Sequence, residues 1–292
     1  MKRMDEPIAK YRNMLFPYAY NIIGSADDAK DIVQDVLSKH FVSKNETSNE
    51  IRNEKNYLIT SVVNHAINVK NRTKKFASHL EQLPEPVATE ESDLELHLKD
   101  IVSYSLLVLL EQLNVRERAV FILKEAFNYS HQEIAEVISG TAENSRKLLS
   151  RAKAKINPAR KPSAKIAKGE ATGYLNRYVT AISNGNVEEL EALFSEDIKV
   201  VADGGTDVKV LRNLTLGREN CIVLLLEVYK KFQIGQTIRF VEINHQPAIL
   251  FYTGEELNTC QVFSIASNGK VYAINSVIDP KKLKNIATRS AI

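Results

Sequence analysis

Apolar residues recur at helical spacing through the first half of the chain. Leu15, Ala19, Ile22 and Ile23 form one stripe and Ala29, Ile32, Val33, Val36 and Leu37 another, so 11–41 reads as two helices with a turn at Gly24-Ser25. The polar stretch 43–55 predicts a loop. A third helix follows over 57–75, with Leu58, Val62, Ala66 and Val69 on one face, and an apolar helix resumes over 101–113.

The next stretch, 115–156, carries the strongest local signals. Ser130-His131-Gln132-Glu133 is a capping box: the Ser130 hydroxyl accepts from the Glu133 N–H, and the Glu133 carboxylate reaches back to the Ser130 N–H. Ile134, Ala135, Val137 and Ile138 give the short helix an apolar face. Ser139-Gly140 breaks it, and Thr141 can cap a second helix in which Ser145, Leu148, Leu149 and Ala152 face inward. That leaves Ala142, Glu143, Arg146, Lys147 and Ser150 outside. Two helices joined by so short a break read as a helix-turn-helix, whose second helix offers its outward side chains to base edges in the major groove; the same pattern also fits an ordinary amphipathic helix with a basic surface followed by a Lys-rich linker.

Beyond 171 the periodicity changes. Helices are predicted over 171–184, 187–194 and 218–232, and strands over 198–202, 209–214, 237–243, 248–253, 260–266 and 271–278. Asn268-Gly269 joins the last two as a hairpin turn. Helices followed by a meander with one buried face predict an α+β cone.

Charge refines this division. The net charge is only +3, but from Asn144 to Lys168 every charged residue is basic, which favours a polyanionic partner. Glu81, Glu85, Glu90, Glu91, Asp93, Glu95 and Asp100 face a single Lys99 and form an acidic linker, kept extended at its start by Pro84 and Pro86. Asp27, Asp28, Asp31, Gln34 and Asp35 line one helix face, open to two readings: a solvated surface or a dock for a basic partner. Two cysteines without spaced Cys/His ligands suggest neither structural zinc nor a disulfide framework and fit a reducing cytoplasm. No run approaches the roughly 18 apolar residues of a membrane span, so no membrane association is expected.

In order and in residues, these features resemble a bacterial extracytoplasmic-function sigma factor. LFPYAYNIIGSADDAKDIVQDVL resembles the first part of sigma region 2, YLITSVVNHAINVKNRTKK the part that binds and melts the -10 element, and 110–156 region 4, which reads the -35 element. The chain departs from the family where many members have Trp near Tyr57 and Asp at Asn68. The resemblance implies that core RNA polymerase is a partner, bound at its β′ clamp helices by Asp27, Asp28, Asp31, Gln34 and Asp35 and at its β flap, and that promoter DNA is the other. The -10 contacts would come from Tyr57, Asn64, Asn68, Lys70, Arg72, Lys74 and Lys75. Those to the -35 element would come from Thr141, Glu143, Asn144, Arg146, Lys147, Ser150 and Arg151. The 43–55 loop would hold a flipped base, and the acidic linker would run near the RNA exit path.

The C-terminal third resembles the SnoaL-like domain of the nuclear-transport-factor-2 superfamily, which the sigma group called ECF41 carries at this position. Leu83-Pro84-Glu85-Pro86, Asp203-Gly204-Gly205 and Asp279-Pro280-Lys281-Lys282-Leu283 correspond to that group's motifs, each in altered form. The fold expected is therefore multidomain: region 2 over 1–78, an acidic linker over 79–100, region 4 over 101–157, a basic linker over 158–170, and a SnoaL-like cone over 171–292. The cone is expected to be regulatory rather than catalytic. Asp203, Gly204, Gly205, His245, Asp279, Pro280 and Leu283 would form its interface or pocket, with a small ligand there and no cofactor or metal. Two rivals are a one-component helix-turn-helix regulator with a ligand-binding cone and a SnoaL-like isomerase or cyclase.

Overall fold

The computed structural model describes residues 2–46, 53–74, 82–89, 98–156, 168–211 and 213–287. Lys75, residues 47–52 of the predicted 43–55 loop, 79–81 and 90–97 of the acidic linker and the 158–167 stretch lie outside the described residues, as does the side chain of Lys74, while 43–46 and 54–55 of the predicted loop are helical as extensions of the flanking helices. The chain forms two compact units. The first comprises Met1–Ser78, Ser92–Val102 and Leu107–Ala159; the second comprises His79–Glu91, Ser103–Leu106 and Arg160–Ile292.

The first unit is all-α. Helices α1 (Lys2–Ile23), α2 (Ala26–Glu46) and α3 (Glu54–Lys74) pack on one another, and α4 (Tyr104–Leu110, of which only the part from Leu107 belongs to this unit), α5 (Val115–Glu125), α6 (His131–Val137) and α7 (Ala142–Lys155) follow. The predicted apolar stripes of α1 and α2 are buried. In α3 the buried arc is wider than predicted, because Ile59, Val63 and Ile67 are also covered: α1 and α2 lie on one side of this helix, and α5 and α6 also pack against it. The apolar run 101–113 is helical only over Tyr104–Leu110.

The second unit is the α+β cone. Helices α8 (Lys168–Asn184), α9 (Val187–Leu193) and α10 (Arg218–Val228, continued by a π-helical turn over Tyr229–Gln233) accompany a six-stranded sheet. Its strands are β1 (Phe194–Asp203), β2 (Leu214–Leu216), β3 (Thr237–Ile243), β4 (Gln246–Thr253), β5 (Glu256–Ile265) and β6 (Val271–Val277), in the order β2-β1-β6-β5-β4-β3. Only β1 and β6 are parallel; the other pairs are antiparallel. Tyr178, Ile182, Phe194, Ile222, Phe251 and Phe263 belong to the core between helices and sheet. The hairpin at Asn268-Gly269 forms as predicted, with Gly269 at φ 77°. The predicted strand 209–214 does not: pairing with β1 begins only at Leu214. A final helix absent from the prediction, α11 (Pro280–Ala287), packs on β5.

Candidate nucleic-acid interface and linker clamp

The helix-turn-helix is built by its caps. Ser130 and Glu133 complete the predicted reciprocal pair at 3.2 and 2.7 Å, and the Thr141 hydroxyl accepts from the Asn144 N–H at 3.1 Å. The hydrogen bond from the Ser130 N–H, and then that from its hydroxyl, hold the Glu133 carboxyl below its usual range. A second box, Asn114 with Glu117, starts α5. In the turn the left-handed residue is Ser139, at φ 52°, rather than Gly140.

His131 Nδ1 lies 2.9 Å from the Ser145 hydroxyl, tying α6 to α7. Burial lowers the His131 pKa, and the cations Arg146, Lys124 and Lys153 lower it further. Ser145, Leu148, Leu149 and Ala152 are buried, while Thr141, Glu143, Asn144, Arg146, Lys147, Ser150 and Arg151 are exposed. Glu143 engages Lys147 one turn on, at 2.6 Å. The face left in solvent is therefore basic and amide-bearing, with the donors that base edges and phosphates accept.

On α2, Asp27, Asp31, Gln34 and Asp35 are exposed and Asp28 is half-buried. On α3, Tyr57, Asn68 and Arg72 are exposed. Two other α3 candidates are engaged inside the unit. The Asn64 amide donates to the Val137 carbonyl at 2.8 Å and to that of Thr60 at 3.0 Å. Lys70 donates to the Ile23 carbonyl at 2.7 Å and to Glu111. Arg118, buried in α5, meets the same Glu111 carboxylate and donates from Nε to the Asn21 carbonyl at 2.9 Å. Burial alone would raise the Glu111 pKa; Arg118 and Lys70 outweigh it and bring the carboxyl to about 2.

In the second unit, residues 82–89 run extended and are held by side chains of the cone. The Leu83 N–H donates to Asp203 Oδ2 at 2.7 Å, and the Leu83 carbonyl accepts from Lys282 Nζ at 2.7 Å. Lys282 and Asp203 are themselves paired at 2.7 Å, with Asp203 only 4% exposed. Further along, Asn244 exchanges two hydrogen bonds of 2.9 Å with Val87, one through its side chain and one through its backbone. Tyr104 donates its hydroxyl to the Pro84 carbonyl at 2.7 Å.

The predicted Asp-Gly-Gly and Asp-Pro-Lys-Lys-Leu segments thus meet at this clamp. Gly205 donates its N–H to Asp203 Oδ1 at 2.8 Å, at φ 64°, and a Cβ there would collide with the Asp279 carboxylate. Asp279 caps α11, accepting from the Lys281 N–H at 2.9 Å, and Leu283 is buried. His245 sits in the β3–β4 turn with its imidazole 3.5 Å from Glu242, and it touches the held segment through its backbone, donating its N–H to the Thr89 hydroxyl at 3.2 Å. Asp203, His245 and Asp279 are not among the residues that line the cone's cavity. The residues missed by sequence reasoning, Asn244 and Tyr104, act on backbone atoms.

A helix-turn-helix with a capped, basic second helix defines a DNA-reading protein, and residues 103–156 match the family model described as sigma-70, region 4. The probable ECF RNA polymerase sigma factor SigI of Mycobacterium tuberculosis is 25% identical over 283 residues, covering 94% of this chain and 92% of the relative. The ECF sigma factor SigJ of the same organism is 24% identical over 238 residues, covering 77% of this chain and 72% of the relative. A crystal structure of SigJ shares the fold, with a TM-score of 0.74 and 21% identity over 96% of this chain and 98% of that one. Over most of its length the chain is thus similar to extracytoplasmic-function sigma factors, and it shares the fold of one of them. Among the described residues no helix is long and apolar enough to cross a membrane.

Proposed function

We propose that this protein is an alternative sigma factor that binds core RNA polymerase, recognises the -35 and -10 elements and initiates transcription in the cytoplasm, and that its cone regulates this activity by holding residues 82–89. In this reading the acidic face of α2 docks on the polymerase, α3 meets the opened -10 strand and α7 reads the -35 element. Single-stranded DNA is bound by stacking surfaces, amides and cations, and exposed Tyr57, Asn68 and Arg72 supply these. The cone acts as a binding and regulatory module rather than an enzyme.

One observation carries the regulatory part. Leu83 is gripped through both of its backbone polar groups, by Asp203 and by Lys282. A segment that must thread the polymerase cannot at the same time be paired there, so docking on the cone competes with polymerase engagement. Run-off transcription with core polymerase tests both parts. Promoter-specific transcripts are expected from the full chain, and Lys282→Ala is expected to change their yield at least threefold. Absence of specific transcripts would overturn the sigma reading, and an unchanged yield from Lys282→Ala the regulatory one.

A further inference from the structure

The cone encloses a cavity of about 320 Å³ between the sheet, the end of α10 and the segment 208–211. This lies at the lower end of the range for small-molecule sites, about 300–1,000 Å³. Its walls are mostly apolar, with Leu224, Val228 and Phe232 contributed by α10 and the π-helical turn that extends it. Gln261 and Gln233 also line it, although only 1% and 4% of their surfaces are exposed. Among the described lining residues Lys209 alone is charged, and it is exposed.

We infer that this cavity is a binding site for a small uncharged molecule with an apolar body and a carbonyl group, and that its occupancy tightens the clamp on residues 82–89. The inference rests on the regulatory reading above. A charged ligand would need a buried counter-charge to offset its desolvation, and the lining offers none. The Gln261 Oε1 faces the Tyr178 hydroxyl at 3.4 Å, so its amide N–H groups remain as donors for a carbonyl oxygen. With no carboxylate or imidazole among the described lining residues, the site is suited to holding a ligand rather than to acid–base chemistry.

The coupling follows from chain geometry. Ala202 and Ile278 line the cavity, and the next residue of each, Asp203 and Asp279, belongs to the clamp. The Ile278 N–H donates to the Asp203 carbonyl at 2.7 Å, and the Val208 N–H at the start of the 208–211 wall donates to the Gly204 carbonyl at 3.1 Å. A ligand that needs this wall closed stabilises the segments that close it.

The test uses the full chain and the neutral fluorescent ketone 6-propionyl-2-(dimethylamino)naphthalene. Saturable binding at one site with blue-shifted emission is expected. Thr259→Phe, at the half-buried mouth, should weaken it at least tenfold. Gln261→Leu should weaken the ketone about tenfold and leave the carbonyl-free 2-dimethylaminonaphthalene unchanged. Non-saturable binding, or binding indifferent to both substitutions, would overturn the site. With the probe saturating, amide exchange at Leu83 and Val87 should slow severalfold; unchanged exchange would overturn the coupling. Neither result decides the regulatory role of the clamp, which Lys282→Ala tests independently in transcription.

Discussion

The Lys70 ammonium reaches both carboxylate oxygens of Glu111, at 3.0 and 2.9 Å. A cation expected on the -10 strand is thus bound to the residue that also pairs with buried Arg118. Such a pair is weak evidence for net stability, but removing one partner is costly, because the remaining charges stay buried.

The Glu111 carboxyl makes stability depend on pH. Its pKa falls from 4.5 to about 2 on folding, so its contribution is complete above pH 4.5 and is lost as pH falls towards 2. With 26% of its side chain exposed, we expect about 2 kcal/mol after allowing for screening. Urea midpoints measured between pH 6 and pH 2.5 should fall more steeply for the native chain than for Glu111→Gln.

Asn114 opens α5 through the reciprocal pair with Glu117, whose carboxylate also takes Lys155 at 2.7 Å. Asn114→Ala should cost about 1 kcal/mol, read as a lower midpoint in urea with an unchanged slope. Asn114→Ser, which can still accept the Glu117 N–H, should recover most of the loss.

Gly205→Ala should open the clamp, because the position combines a left-handed backbone with contact against Asp279. The expected outcome is a lower melting temperature together with faster amide exchange at Leu83. Exchange as slow as in the native chain would show that Asp203 and Lys282 hold the segment without this turn.

On α7, Arg146→Ala should lower transcription and relax preference at one or two -35 positions. Arg151→Ala should weaken binding alike across sequences and reduce the salt slope by about one. Promoter binding unchanged by both would mean that a different face of α7 meets the DNA.

How much of this could be read beforehand depends on where each signal lies. The Ser130 box and the inward set of α7 are local, and they stand in the structure as in the sequence. So do β3 and the Asn268-Gly269 hairpin. The segment 209–214 misled for a physical reason: Val210 and Leu211 are apolar because they line a cavity, not because they pair in a sheet. Helix α11 had a start signal in Asp279-Pro280, an N-cap followed by the one residue that needs no N–H there, but too short an apolar pattern to announce it. The clamp was the least legible element. Its central bond joins Asp203 to a backbone N–H 120 residues earlier, and a main-chain partner leaves no mark on residue identity.

The parallel pairing of β1 with β6 also sets an order of events during synthesis. Asp203 and Lys282 meet although 79 residues separate them, because the last strand returns beside the first. The ribosome must release β6 and α11 before the grip on Leu83 can close. Each nascent molecule therefore presents its helix-turn-helix before the grip on Leu83 exists, and trimming at Asp279 would take away the Lys282 half of that grip from a finished molecule.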